Sequence, residues 1–477
     1  MSDAAASAPA AAGGRSAAEL RTMLIPLALA QFICSFAGSN MNVMINDISE
    51  DLDTSVEGVQ FTITLFLLVM AALMIPGGKL CDRWGRKRCF TVGLTVYAVG
   101  AILSAAAPRL PLLIIGNSIL EGVGTAMLIP PVYILATMLF DDMTSRAKAF
   151  GMISGMGGVG AAMGPLIGGL ITTAISWRAA FVFQAAVIAV IVVLSRRIVD
   201  PLPADPDSRP DTLGAVLSAA GLVLLVGGIM VTKNSWAGAV ALMLAGAVML
   251  AWFFLHIRAR ERAGEEPLLS MRLFRDRVAN LGLVTQNIQW LVLMGTSFTV
   301  ATYLQVVRGY NAIETGVIFT AATVGILISS LAAERFAQRR SQRTLIAGGF
   351  VITIGGVGVL LAMASGSPSA WAFAPGLFLI GFGIGAMLTP SVNVVQSAFP
   401  DELQGEISGL SRSVSNLGSS LGTAIAGTIL VSGLTSGAYG WAMASLAILS
   451  LVGLAAALLL PTLRPKTNDD QAVSLVI

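Results

Sequence analysis

Apolar runs about 20 residues long recur from one end of the chain to the other, and no soluble architecture accommodates them. A helix rises about 1.5 Å per residue, so each run is long enough to cross a hydrocarbon core of about 30 Å. Fourteen can be counted, over residues 22–45, 59–80, 89–107, 111–135, 149–173, 179–195, 213–232, 236–256, 278–304, 314–333, 344–364, 372–394, 407–432 and 438–461. Of the 477 residues, 55% are hydrophobic and 12% charged, where a soluble domain is about a quarter charged. The expected fold is an all-α polytopic membrane protein. The first twenty residues are Ala-rich and lead directly into a full-length run, so no cleaved signal peptide is expected.

Orientation follows from lysine and arginine, which short cytoplasmic loops retain. With the N-terminus inside, only Arg109, Arg178, Lys233 and Arg308 of the 29 basic residues fall outside, and both termini are cytoplasmic. The acid-rich stretch from Asn46 to Glu57 then faces outward. The basic stretch GGKLCDRWGRKR, Gly77 to Arg88, joins spans two and three on the inside. Its cations belong to a topogenic loop rather than to a nucleic-acid surface, because such surfaces occur on soluble domains with a basic face.

Several chemistries find no support. Cys34, Cys81 and Cys89 offer no disulfide framework and no zinc set, and the single histidine, His256, ends an apolar run and reads as interfacial. GMGGVG (Gly155 to Gly160) satisfies a dinucleotide pattern but lies inside a spanning helix with no preceding strand. No cofactor, metal or nucleic-acid partner is expected, and an enzyme is not.

The chain is internally duplicated. KLCDRWGRKR (Lys79 to Arg88) returns weakly as LAAERFAQRR (Leu331 to Arg340), AMLIP (Ala126 to Pro130) as AMLTP (Ala386 to Pro390), and GAAMGPLIGG (Gly160 to Gly169) as GSSLGTAIAG (Gly418 to Gly427). The offsets are 252, 260 and 258, in the same order. Spans one to six and nine to fourteen are thus equivalent halves, with seven and eight inserted. Parallel repeats of this kind are a transporter architecture, in which the halves rock about a site near the midplane.

At these motifs the chain resembles the major facilitator superfamily, and within it the fourteen-spanner drug:proton antiporters. The superfamily's first-loop motif is met by Gly78, Leu80, Asp82, Arg83, Gly85, Arg86 and Lys87, and the antiporter motif of span five by Gly160, Gly164, Pro165, Gly168 and Gly169. The resemblance implies a major facilitator fold of two six-helix bundles plus two inserted central helices. It also implies that the first-loop cluster latches the halves, with Asp82 reaching Arg83, Arg86 and the start of span thirteen near Gly405 to Arg412. Three positions depart from the family pattern. Ala37 stands where span one carries an aspartate, and Asn117 and Glu121 replace the arginine and glutamine of span four. An acid and a base are missing together, as expected if they paired.

Glu121 is then the one acid expected near mid-bilayer, and an intramembrane ionisable group is by default functional. It is the expected proton-coupling residue, with Asn117 beside it. Span one carries Gln31, Ser35, Ser39, Asn42 and Asn46 on one face, and span nine carries Gln286, Gln289, Thr296, Thr299 and Thr302. Polar stripes in lipid must face protein or water, so these line a cavity or bond helix to helix, with cavity lining the preferred reading. The expected organisation is a tail over 1–21, bundles over 22–197 and 278–461, inserted spans over 213–256, linkers over 198–212 and 257–277, and a tail over 462–477. The expected function is secondary transport, exporting hydrophobic or amphipathic small molecules in exchange for protons from a monomer in the cell (inner or plasma) membrane. The missing Asp and Arg leave an uncoupled or lipid-translocating member as the alternative.

Overall fold

The computed structural model describes residues 17–139, 143–198, 200, 211–233, 235–337, 340–364, 369–400 and 403–462. Among them are fourteen helices long and apolar enough to cross a membrane. Spans one to six are Ala17–Asn40, Val56–Trp84, Arg86–Ala105, Leu110–Ala136, Met143–Ala174 and Trp177–Ser195. Spans seven and eight are Thr212–Val231 and Trp236–Arg262. Spans nine to fourteen are Arg277–Thr302, Ala312–Ala337, Gln342–Ala364, Ala374–Gln396, Gln404–Val431 and Ser436–Leu458. The loop between spans two and three and the far end of span eight share the arginine-rich side, here the basic face; the acid-rich segment before span two lies on the opposite, acidic face.

Helix starts carry side-chain acceptors for the free N–H groups of the first turn, which apolar surroundings would leave unsatisfied. Ser55, Ser176, Asp211, Ser235, Asp276 and Thr435 accept from Gly58, Ala179, Gly214, Gly238, Ala279 and Ala438. Spans two and three meet at Gly85, which closes one helix and opens the next with φ 86° and ψ 144°. That region is open to glycine and strained for any side chain.

Several helices run a few residues past the expected bounds, and at two boundaries the difference has a plain physical reason. Span one stops at Asn40 and passes through a 3-10 turn, Met41–Val43, into a short helix, Ile45–Asp51. Asp47, Glu50 and Asp51 keep this helix out of lipid, and it buries Ile45 and Ile48 on the protein instead. Span eight stays helical to Arg262, six residues into the expected linker, because RARER has high helix propensity and its arginines need not stay within the apolar core.

The duplication is repeated in the packing. Span one packs on five and nine on thirteen; two on four and ten on twelve; three on four and six, and eleven on twelve and fourteen. Gly160 of span five lies against the Phe32 carbonyl of span one, and Gly418 of span thirteen against the Asn287 carbonyl of span nine, so closely that a Cβ at either would overlap it. A hydrophobic core is centred in each half, the first also taking in Phe298 and Val431 of the second. Inserted spans seven and eight pair with each other, and span seven packs on spans two and thirteen.

Candidate functional site

The halves meet along two lines. Spans two and thirteen join from face to face: Gln60 Nε2 donates to the Thr423 carbonyl (3.1 Å), Ser420 Oγ to that of Thr64 (3.1 Å) and Ser413 Oγ to that of Ala71 (2.5 Å), and Lys79 Nζ pairs with Glu406 Oε1 (3.2 Å). Spans five and ten make close contacts near the acidic face. There Gly169 abuts the Ala312 carbonyl, Gly316 abuts that of Pro165, and Ile313 N donates to Thr173 Oγ1 (3.2 Å). At the same end span one reaches span nine: Asn42 Nδ2 donates to Ser297 Oγ (3.2 Å) and Gln305 Nε2 to the Asn42 carbonyl (2.9 Å).

The first-loop cluster is assembled, with altered partners. Asp82 Oδ1 accepts from Arg86 Nη2 (2.9 Å), and Lys87 N donates to Asp200 Oδ2 (3.1 Å), while Arg83 is exposed. The described ion pair to the start of span thirteen comes from Lys79, not Asp82. Lys79 is one turn earlier on span two, and its long side chain bridges to Glu406, leaving Asp82 to brace its own loop. The glycine required for packing is also one residue earlier than expected. A Cβ on Gly77 would overlap the Ala126 carbonyl, whereas one on Gly78 would sit 3.7 Å from Pro130 in ordinary contact.

The span-five motif faces two ways. Gly160, Gly164 and Gly168 turn towards Phe32, Ser39 and Asn40 of span one, and Gly169 towards span ten across the halves. Pro165 contributes its carbonyl to the same crossing.

Glu121 ends a π-helical segment, Ile114–Glu121, within span four, and is fully buried. Ser104 Oγ of span three donates to its Oε1 (3.3 Å) and Asn117 Nδ2 to its Oε2 (3.3 Å). Gly100 opens the space, since a Cβ there would lie 2.9 Å from the Glu121 Cγ. The carboxyl thus points into the N-terminal bundle rather than towards the polar stripes of spans one and nine. Sequence could place it at depth but could not assign its azimuth, which the π-segment resets.

The stripes themselves are partly engaged. Gln31 Nε2 donates to Ser35 Oγ (3.1 Å) and Ser39 Oγ to the Phe36 carbonyl (3.2 Å); Gln286 Oε1 accepts from Ser411 Oγ (2.7 Å) and Gln289 Oε1 from Ser391 Oγ (3.1 Å). Left without partners among the described residues are Asn42 Oδ1, Gln286 Nε2 and the hydroxyls of Thr296, Thr299 and Thr302, all buried.

One pair was not anticipated as a site. Arg412 of span thirteen donates through Nη2 to the Tyr133 hydroxyl of span four and stacks its guanidinium 4.8 Å from that ring's centroid. Tyr133 in turn donates to Gln31 Oε1 (3.3 Å), so spans one, four and thirteen are linked. An arginine six residues into the 407–432 run was the available signal.

Two repeated helical bundles meeting across buried polar side chains define a membrane transporter. A sequence model of the Major Facilitator Superfamily matches residues 27–219 and 212–423, and the chain belongs to that superfamily. It is similar to the puromycin resistance protein pur8 of Streptomyces alboniger, 30% identical over 415 residues, covering 85% of this chain and 81% of that protein. The cephamycin export protein CmcT of Amycolatopsis lactamdurans is 28% identical over 462 residues, covering 94% and 93%. The multidrug efflux pump LfrA of Mycolicibacterium smegmatis is 28% identical over 383 residues, covering 80% and 75%. Among solved structures, the peptide transporter POT in complex with sulfate superposes with a TM-score of 0.68 at 16% identity, covering 91% of this chain and 94% of that one, a likeness of fold.

Proposed function

We propose that the chain exports hydrophobic or amphipathic small molecules by alternating access, as a fourteen-span proton antiporter of the cell membrane with both termini cytoplasmic. The observation that carries the export reading is the set of unpartnered polar atoms on span nine and on the turn that follows span one, at the meeting of the two repeated halves. A bound small molecule is the natural partner for them, since buried polar atoms without one are costly. Relatives named for puromycin resistance, cephamycin export and multidrug efflux support this class of cargo. The concentration of arginine and lysine on one face supports the orientation. The site would comprise Gln31 and Ser39 of span one, Asn42 of the turn after it, and Gln286 and Gln289 of span nine, and the loop from Gly78 to Lys87 would control opening at the cytoplasmic end.

Proton coupling is assigned to Glu121. Its described partners, Ser104 and Asn117, are neutral, so the carboxyl sits in the bundle without a counter-cation. Gain or loss of its proton changes the hydrogen bonds that fix the π-segment, and that segment sets the rotation of the rest of span four, which carries Tyr133 to Arg412.

The test is Glu121→Gln in proteoliposomes with an imposed pH gradient, using a substrate first identified by thermal-shift screening. The variant is expected to fold, bind substrate and exchange it across the membrane without accumulating it. Accumulation like that of the wild type would remove Glu121 from coupling; no pH response in either protein would identify an uncoupled member.

A further inference from the structure

At the basic-face end of span eight a cavity of about 350 Å³ is lined by Arg258, Glu261, Arg262, Met271 and Arg275. Three of its five walls are arginines, contributed by the helix end and by the residue that follows a 3-10 turn, Met271–Phe274. None of the three has an ion-pair partner among the described residues. Their neighbours are engaged: Arg260 pairs with Glu265 (3.2 Å), and Glu261, the one acid on the wall, accepts from Ser270 Oγ (3.2 Å). A topogenic loop requires cations on this side of the membrane but not their convergence on one cavity.

The depth of the cavity identifies what reaches it. Span eight begins at Trp236, 71% exposed, as an interfacial aromatic anchor. Counting about 1.5 Å per residue, Arg258 lies about 33 Å and Arg262 about 39 Å from Trp236. With Trp236 at one edge of the hydrocarbon, the core ends near about 30 Å, and the headgroup layer beyond it adds about 5–7 Å. Arg258 therefore stands at headgroup depth and Arg262 just past its outer margin, from where a long side chain can reach back to headgroup phosphates. The turn is held at the same level, because Phe274 packs edge-on against Phe254 (5.2 Å), itself exposed to lipid, while Leu273 is buried below.

We propose that this cavity binds a phosphate group, presented by the headgroup of an anionic phospholipid. Arginine forks suit phosphate oxygens, and a site of net positive charge at this depth attracts anionic headgroups from the bilayer. An occupant would draw the end of span eight and the Met271 turn together. That turn follows Ser270, whose N–H donates to Glu406 Oε2 (3.0 Å) beside the Lys79 pair, so the lipid would brace the linker that supports the contact between the halves. The inference concerns this surface alone and does not depend on the cargo or on proton coupling.

The test is thermal unfolding of the full chain in uncharged detergent with phosphatidylglycerol, with phosphatidylcholine, and with inorganic phosphate at matched ionic strength. Phosphatidylglycerol should raise the melting temperature by several degrees more than phosphatidylcholine. The combined Arg258→Gln, Arg262→Gln and Arg275→Gln variant should lose that difference, and Arg197→Gln, a cation removed elsewhere on the same face, should keep it. Equal protection by inorganic phosphate would overturn the lipid assignment. Should the triple variant not fold, Arg258→Gln and Arg275→Gln are read singly by native mass spectrometry. Each should retain fewer phosphatidylglycerol molecules than the wild type, and unchanged retention, or an undiminished difference in the triple variant, overturns the site.

Discussion

Lys79 Nζ and Glu406 Oε1 stand 3.2 Å apart and tie the end of span two to the first turn of span thirteen, one from each half of the duplicated fold. Each side chain is about a quarter exposed (25% and 24%), so the pair lies between a solvated surface bridge and a desolvated one. Glu406 has a second attachment, the Ser270 N–H, which makes it the point where the central linker meets the seam between the halves.

Lys79→Gln should loosen the basic face without unfolding the protein. A coupling of about 1 kcal/mol corresponds to about a fivefold change in the opening equilibrium. Maleimide labelling of Gly409→Cys reads it, since a Cβ there meets nothing within 4 Å. Reversing both charges, Lys79→Glu with Glu406→Lys, should recover part of the protection and not all, because Ser270 N loses its acceptor.

Asp82→Asn acts differently. Arg86 is 11% exposed in its side chain, and its Nε already lacks a partner, so removing the carboxylate strands a buried cation. The expected loss is about 1–3 kcal/mol of stability with labelling of Gly409→Cys little changed. The Asp82→Asn, Arg86→Gln double variant should be no less stable than Asp82→Asn alone; a further additive loss would show that the two do not act as a pair.

Gly169→Ala should drive a methyl group into the Ala312 carbonyl of span ten. Backbone faces backbone there, so neither side can yield cheaply, and a loss of about 1–3 kcal/mol is expected together with greater labelling of Thr173→Cys at the acidic face. Gly155→Ala in the same helix has nothing within 4 Å of the added Cβ and should be neutral or slightly stabilising. Equal melting temperatures for the two variants would refute the crossing.

Asp211, at the mouth of span seven, sets an acid-dependent term. Burial pushes its carboxyl up, but hydrogen bonds from His256 and from the N–H groups of Gly214 and Leu268 outweigh that and hold it below the ordinary carboxylate value. A carboxyl lowered by folding contributes stability that is present above the unfolded value, about 3.9, and is lost as pH falls through the folded one. Asp211→Asn keeps an acceptor for the Gly214 N–H, since Asn caps as well as Asp, but it loses the charge facing His256 and the second oxygen, which accepts from Leu268 N, and should therefore lower the melting temperature at neutral pH by the equivalent of about 1 kcal/mol. The gap to the wild type should narrow below about pH 4. A gap constant into that range would show that the charge contributes nothing.

The spans were legible because crossing a bilayer demands length and apolarity, both one-dimensional properties, and the duplication because the halves kept their glycines. Azimuth was not legible. Glu121 and Asn117 read as mid-membrane polar residues, but the π-segment that turns them towards Ser104 leaves no periodic mark. Asp82 was expected to reach the other half; the reach belongs to Lys79, since side-chain length rather than charge pattern decides which residue of a helix end spans a gap. The stripe on span one was visible, but not that Ser39 bonds within its own helix while Asn42 crosses to Ser297.

The uninterrupted join of spans two and thirteen, from Gln60 to Lys79, and its backing by span seven have a mechanical consequence. A joint bonded along its height and backed by span seven acts as a spine between the halves, while the close contacts of spans five and ten near the acidic face form the opposite edge. For the exporter proposed above, the inserted pair would then cover one flank of the seam between the halves and leave the opposite flank facing the bilayer, so that the two extra helices would give access from the membrane a handedness.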